Sequence, residues 1–158
     1  MPPFEATLES LAAGLPPKGR LLGLDLGTKT IGLALSDVER RLASPLETIR
    51  RTKFSVDAEA LMKRVREFEI TGLIVGLPLE LDGKAGPRAQ ATRAFMRNLS
   101  SLAPPPYAYW DERFSTALVT RELIAQDVSR AKRAKVVDKM AAAYILQGAL
   151  DRLGRLEA

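Results

Sequence analysis

Cysteine and histidine are both missing from the 158 residues of this chain. Their absence excludes disulfides, thiol nucleophiles, Cys/His zinc sites, Ser-His-Asp triads and imidazole bases together. Catalysis here must come from carboxylates, lysines, hydroxyls or a bound metal. No apolar run approaches the roughly 20 residues that a membrane-spanning helix needs. With 46% hydrophobic and 27% charged residues, the composition is that of one soluble globular domain. No basic residue precedes Lys18, so the opening lacks the positive start of a secretory signal and the arginine-rich character of a transit peptide, and the expected location is cytoplasmic. Acids are the scarcer charge, 19 Asp and Glu against 24 Lys and Arg, for a net +5. That balance suits a polyanionic partner such as nucleic acid, and it equally suits an ordinary solvated basic surface.

Pro16, Pro17 and Gly19 break the chain early, so residues 1–19 read as an extension outside the core, with a short helix over 5–13. The domain itself spans 20–154, followed by a tail, 155–158. Residues 21–26 and 31–35 are apolar runs joined by the tight turn Gly27-Thr28-Lys29, the pattern of a hairpin. A third strand over 43–49 extends the meander, and 56–68 places Ala60, Leu61, Val65 and Phe68 near helical spacing. Residues 72–77 form a buried strand ended by Pro78. A polar loop, 79–86, then delivers Pro87 to the first turn of a helix over 87–99. A strand over 107–110 and two helices, 115–126 and 134–153, complete the chain. Three strands, helix, strand, helix, strand, helix, helix is the order of an α/β, ribonuclease H-like arrangement. Its five-stranded mixed sheet has the strand order 3-2-1-4-5 and helices on both faces. The ends of the first, fourth and fifth strands then share the sheet edge where sites in open α/β sheets form.

Three acids stand out against this pattern. Asp25 lies inside LLGLDLG, where a charge is costly unless it is paired, hydrogen-bonded or bound to a cation. A structural role in the following turn is the plainer explanation; a metal ligand between glycines is the sharper one. Asp111 and Glu112 follow an aromatic strand, as loop acids, as the cap of the next helix or as ligands, with Glu112 the sharper candidate. Asp138 sits on a helix that is apolar nearly all round, in line with Ala141, Ala142 and Ile145, although an acid near a helix start also complements the dipole. Three carboxylates at one edge repel unless divalent cations neutralise them, and oxygen-only ligands point to Mg²⁺ or Mn²⁺. Such a site, with Asp25 bridging two metals and Glu112 and Asp138 completing the set, hydrolyses a phosphodiester with water as nucleophile.

At these residues the sequence resembles the YqgF/RuvX family of ribonuclease H-like nucleases. The likeness covers about residues 20–152 in four blocks: LLGLDLGTKTIGLALSD, GLIVGLPLELDGKAGPRA, WDERFSTALVTREL and KVVDKMAAAYILQGALD. It implies a cytoplasmic nuclease in maturation of the small-subunit ribosomal RNA precursor, with relatives described as Holliday-junction resolvase-like, and it implies acidic roles for Asp25, Glu112 and Asp138. Leu77-Pro78 stands where many nucleases of the wider fold have an acid after the fourth strand. The second carboxylate must therefore come from the fifth strand, and both Asp111 and Glu112 stay open for it.

Basic and hydroxyl residues fit a substrate groove around that edge: Thr28 and Lys29 in the first turn, Lys84 and Arg88 by the polar loop, Arg113 beside Glu112, and Lys132, Arg133, Lys135 and Lys139 around Asp138. Contacts of this kind hold a nucleic-acid strand without reading its sequence and make affinity salt-dependent. Ribosomal RNA is the substrate favoured by the resemblance, with the small-subunit precursor as partner. Branched DNA would require a symmetric dimer. Two rivals remain. DLGTKT resembles the first phosphate loop of actin-like ATPases, although only one such domain is present and Asp82-Gly83-Lys84 is a weak second loop. A nucleic-acid or ribosome-binding module with little activity is the other rival, and a pure binder gains little from concentrating negative charge where phosphate must sit.

Overall fold

The computed structural model describes residues 5–80, 82–112 and 129–157. The expected helix over 115–126 lies outside the described residues.

Short apolar runs, buried on both faces in β2 and β5, build a mixed sheet from β1 (Glu5–Ala6), β2 (Leu21–Leu26), β3 (Thr30–Ser36), β4 (Ala43–Arg50), β5 (Gly72–Leu77) and β6 (Tyr107–Asp111). The spatial order is β1-β6-β5-β2-β3-β4. β2, β3 and β4 form the antiparallel meander, while β5 and β6 add in parallel on the other side of β2. These five strands follow the 3-2-1-4-5 order expected from the sequence. β4, the outer strand of the meander, carries Pro45, a residue that a hydrogen-bonded interior strand would not tolerate.

The side chains of β2 divide between two cores. Leu22, Leu24 and Leu26 pack with α2 (Phe54–Glu67) and α3 (Pro87–Leu99), chiefly against Leu61, Val65, Phe95 and Met96. Leu21 faces the other way, with Ile74 and Ala108, against Ile145, Leu146 and Leu150 of α4 (Arg130–Glu157). Gly23 lies on this second face, and a Cβ there would come within 2.8 Å of Leu146 Cβ and 3.0 Å of the Ala142 carbonyl. The missing side chain is what lets α4 cross β2 so closely. Helices thus cover both faces, and the strand ends that carry the acids remain at one edge.

The amino-terminal segment is more closely integrated than its prolines suggest. β1 pairs in parallel with β6, Glu5 beside Tyr107 and Ala6 beside Ala108. Helix α1 (Leu8–Gly14) begins at Thr7, whose Oγ1 accepts the Ser10 amide at 3.1 Å. It buries Leu8 and Leu11 in the same core as α4. The expectation of an extension outside the core is therefore corrected for residues 5–14. Leu8 and Leu11 lie three apart on one helix face, and they cover apolar surface at the sheet edge and on α4 that would otherwise meet water. Among the described residues no helix is long and apolar enough to cross a membrane.

Candidate active site

Asp25 points to the α4 face of the sheet, at the carboxyl end of β2. It is the residue after Leu24, which pairs with Val75, so its parallel neighbour is Gly76; on the antiparallel side it pairs with Gly32. Two glycines therefore flank the one acid on this strand. At Gly76 the reason is steric. A Cβ there would lie 2.6 Å from Glu112 Oε1, 3.0 Å from Glu112 Cγ and 2.5 Å from Ile145 Cδ1. The space above Gly76 is filled by the Glu112 side chain reaching across from the end of β6.

Glu112 and Asp25 are joined by a side-chain hydrogen bond. Burial pushes the Glu112 carboxyl up to about 8, and the charge of Asp25, that hydrogen bond and the charge of Asp111 add to the rise, while the Arg88 guanidinium opposes it. Two carboxyls this close cannot both ionise cheaply. This is the electrostatic demand that a divalent cation satisfies, and oxygen donors alone suit Mg²⁺ or Mn²⁺. Asp111 pairs with Leu77 in the sheet and acts on Glu112 through its charge. Of the two neighbouring acids, Glu112 is the one that meets Asp25.

Asp138 belongs to α4 by backbone, but its side chain lies outside the described residues. Among the described residues no group of three acids converges; Asp25 and Glu112 form the acidic pair. The expected basic residues divide in the same way. Thr28 and Lys29 are exposed in the turn beyond Asp25, and Lys84 is exposed in the loop between β5 and α3, at the same edge. In that loop Asp82 Oδ1 accepts the Lys84 amide at 2.9 Å and Gly83 adopts a left-handed φ of 87°. Arg88 does not project freely: its Nη2 donates to the Leu26 carbonyl at 2.5 Å. Arg113 lies outside the described residues, as do the side chains of Lys132, Arg133, Lys135 and Lys139.

Arg51 and Asp57 were not among the residues singled out in the sequence. Arg51 Nη1 donates to the Gly27 carbonyl at 2.6 Å, and its Nε lies 3.8 Å from Asp57 Oδ2. The available signal was Asp57 itself, four residues before Leu61 on the apolar face of the helix.

Comparison with known proteins bears on this geometry. The family model described as "RuvX: Holliday junction resolvase" matches residues 19–152. A Methylocella silvestris protein named "Putative pre-16S rRNA nuclease" is 68% identical over 94% of this chain and 92% of its own length. A Rhodobacter capsulatus protein of the same name is 56% identical over 94% of each chain. Among solved structures, the yeast mitochondrial Holliday junction resolvase superposes with a TM-score of 0.55 at 14% identity, covering 95% of this chain and 85% of that one. Thermus thermophilus RuvC, solved with a Holliday junction substrate, gives 0.52 at 14% identity, covering 86% and 96%. At that identity the likeness is one of fold, the ribonuclease H-like arrangement. The match along residues 19–152, with relatives this similar over nearly their whole length, shows that the chain belongs to the RuvX family.

Proposed function

We propose that this protein is a divalent-metal-dependent nuclease that hydrolyses phosphodiester bonds in maturation of the 5′ end of pre-16S ribosomal RNA. The observation that carries the reading is the hydrogen-bonded pair Asp25 and Glu112 at the carboxyl edge of a ribonuclease H-like sheet. Two half-buried carboxylates held together by design of the strand, with Gly76 left empty for one of them, are poorly explained by stability, because the pair raises the cost of ionisation. Asp25 and Glu112, with Asp138 from α4, would hold Mg²⁺ or Mn²⁺. Such a cation supplies activation of water and stabilisation of the leaving oxygen at phosphorus. The role of the chain is to fix those oxygens on rigid strand ends and to keep the neighbouring backbone in place through Arg88. Thr28, Lys29 and Lys84, exposed at the same edge, would hold the substrate backbone through its phosphates. The RNA substrate is supported by the names of the two relatives, and branched DNA by the family description and the resolvase folds.

Substrate choice is separated by one set of reactions. Labelled single-stranded RNA, a fragment spanning the 5′ boundary of pre-16S RNA, and a four-way DNA junction are incubated with Mg²⁺, Mn²⁺ or EDTA. The expected result is cation-dependent cutting of the precursor fragment, lost in EDTA and reduced at least about a hundredfold in Asp25→Asn. Symmetric nicking of the junction alone would replace RNA by branched DNA as substrate. Cutting that survives EDTA, or binding without cutting of any substrate, would overturn the nuclease mechanism in favour of a binding module.

A further inference from the structure

Asp57 is an acid that the carboxylate pair does not use, and it is among the most buried polar groups described, 2% exposed in the first turn of α2. A buried carboxylate is retained at a cost unless its partners are good. Its Oδ1 accepts the Thr52 amide at 3.0 Å and Thr52 Oγ1 at 3.4 Å, and its Oδ2 lies 3.8 Å from Arg51 Nε. The Arg51 guanidinium also lies over the Phe95 ring, 5.5 Å from the centroid, and Phe95 is fixed edge-on by Phe54 at 5.2 Å. A carboxylate on one side and a ring on another leave Arg51, whose side chain is 29% exposed, little freedom.

This held guanidinium is aimed at backbone. Nη1 donates to the Gly27 carbonyl at 2.6 Å, and the Arg51 amide donates to the Lys29 carbonyl at 2.9 Å. Arg88 takes the preceding carbonyl, Leu26, at 2.5 Å, and the Gly27 amide donates to the Thr30 carbonyl at 2.9 Å. The short turn that follows Asp25 and carries exposed Thr28 and Lys29 is therefore gripped at three carbonyls, Gly27 by the Arg51 guanidinium, Lys29 by the Arg51 backbone amide and Leu26 by Arg88. A rigid planar fork with delocalised charge suits this task better than a lysine ammonium.

We infer that Arg51, set in place by Asp57 and Phe95, is a positioning residue that holds the Gly27-Thr28-Lys29 turn in the geometry that receives the substrate phosphate. The inference rests on the nuclease reading. The Arg51 guanidinium acts through the Gly27 carbonyl, whereas the backbone amide that holds the Lys29 carbonyl is kept in any side-chain variant, so loss of the guanidinium displaces the turn at Gly27 and slows the chemical step.

The test uses the full chain with Arg51→Met, Arg51→Lys and Asp57→Asn, and the probe is the labelled pre-16S boundary fragment. Three quantities are read: the single-turnover rate, fragment affinity against salt in EDTA, and hydrogen exchange of the Gly27 amide. Arg51→Met is expected to lower the rate about a hundredfold, as for a misplacement of about 1 Å. Its salt slope should be unchanged, and Gly27 exchange should be at least about tenfold faster, a local opening. Arg51→Lys, which keeps a donor, should fall between Met and wild type. Unchanged rate and exchange in Arg51→Met would overturn the inference while the nuclease reading stood. So would unchanged exchange with affinity lost and the salt slope reduced by about one, which marks a direct phosphate contact. Should Asp57→Asn fail to fold, the Arg51 pair of variants still decides. Absence of cutting by wild type, with the exchange result intact, would count against the nuclease reading and leave the bracing of the turn in place.

Discussion

Glu112 holds its proton near neutral pH in the metal-free protein because burial and Asp25 both disfavour the charged form. The consequence for stability has a definite sign. A carboxyl raised from 4.5 to about 8 on folding stabilises the folded chain fully below about pH 4.5. That contribution is lost as pH rises toward 8, since the unfolded chain ionises freely and the folded one does not. Glu112→Gln cannot ionise and keeps the hydrogen bond to Asp25. In EDTA at pH 7 the variant should therefore be more stable than wild type by about 2–3 kcal/mol after allowance for partial exposure, a rise in Tm of about 5–10 °C. At pH 4 the difference should vanish. Thermal unfolding at the two pH values checks this, and a variant less stable than wild type at pH 7 would show that Glu112 is not strained by its neighbour. Asp25 was legible in the sequence because a lone acid in an apolar strand is an anomaly by itself. The bracing by Arg51 was not, because it joins residues 24 positions apart, from Gly27 to Arg51, through a carbonyl that no sequence pattern marks.

At the scale of elements, two glycines in neighbouring strands do different work on the same face. Gly23 faces the backbone and Cβ of α4, which cannot yield, whereas Gly76 faces the ends of two side chains, Glu112 and Ile145. Gly23→Ala should therefore destabilise by about 1–3 kcal/mol, as overpacking does, while leaving cation-dependent cutting per folded molecule intact. Gly76→Ala should lose less stability and more function, at least about tenfold in rate, because the simplest relief is for Glu112 to swing away from Asp25. Comparing Tm with single-turnover rate for the two variants reads the contrast, and equal losses in both quantities would contradict it. The parallel addition of β5 and β6 was legible from strands alternating with helices, and the strand order followed. The α1 pairing was not, because a seven-residue helix between breaks does not declare the surface that Leu8 and Leu11 will cover. The neighbouring acids Asp111 and Glu112 were ambiguous for a related reason: successive strand residues face opposite sides, and only the register of β6 on β5 says which side carries the site.

In the whole molecule, the two cores clamp the sheet from both faces and leave its carboxyl edge to function. The chain carries a net charge of +5, and its carboxyl edge brings the Asp25 and Glu112 carboxyls together, an arrangement that receives a polyanion only once a cation has joined the pair. Family membership and fold agree with that reading, and the claim on which it depends is that the carboxylate pair binds a divalent metal. The most direct measurement is Mn²⁺ binding, by calorimetry at pH 7.5, to wild type, Asp25→Asn and Glu112→Gln. The account predicts saturable binding to wild type and affinity at least about tenfold weaker in each variant. Equal affinity in all three would contradict it, whatever nucleic acid the protein proved to bind.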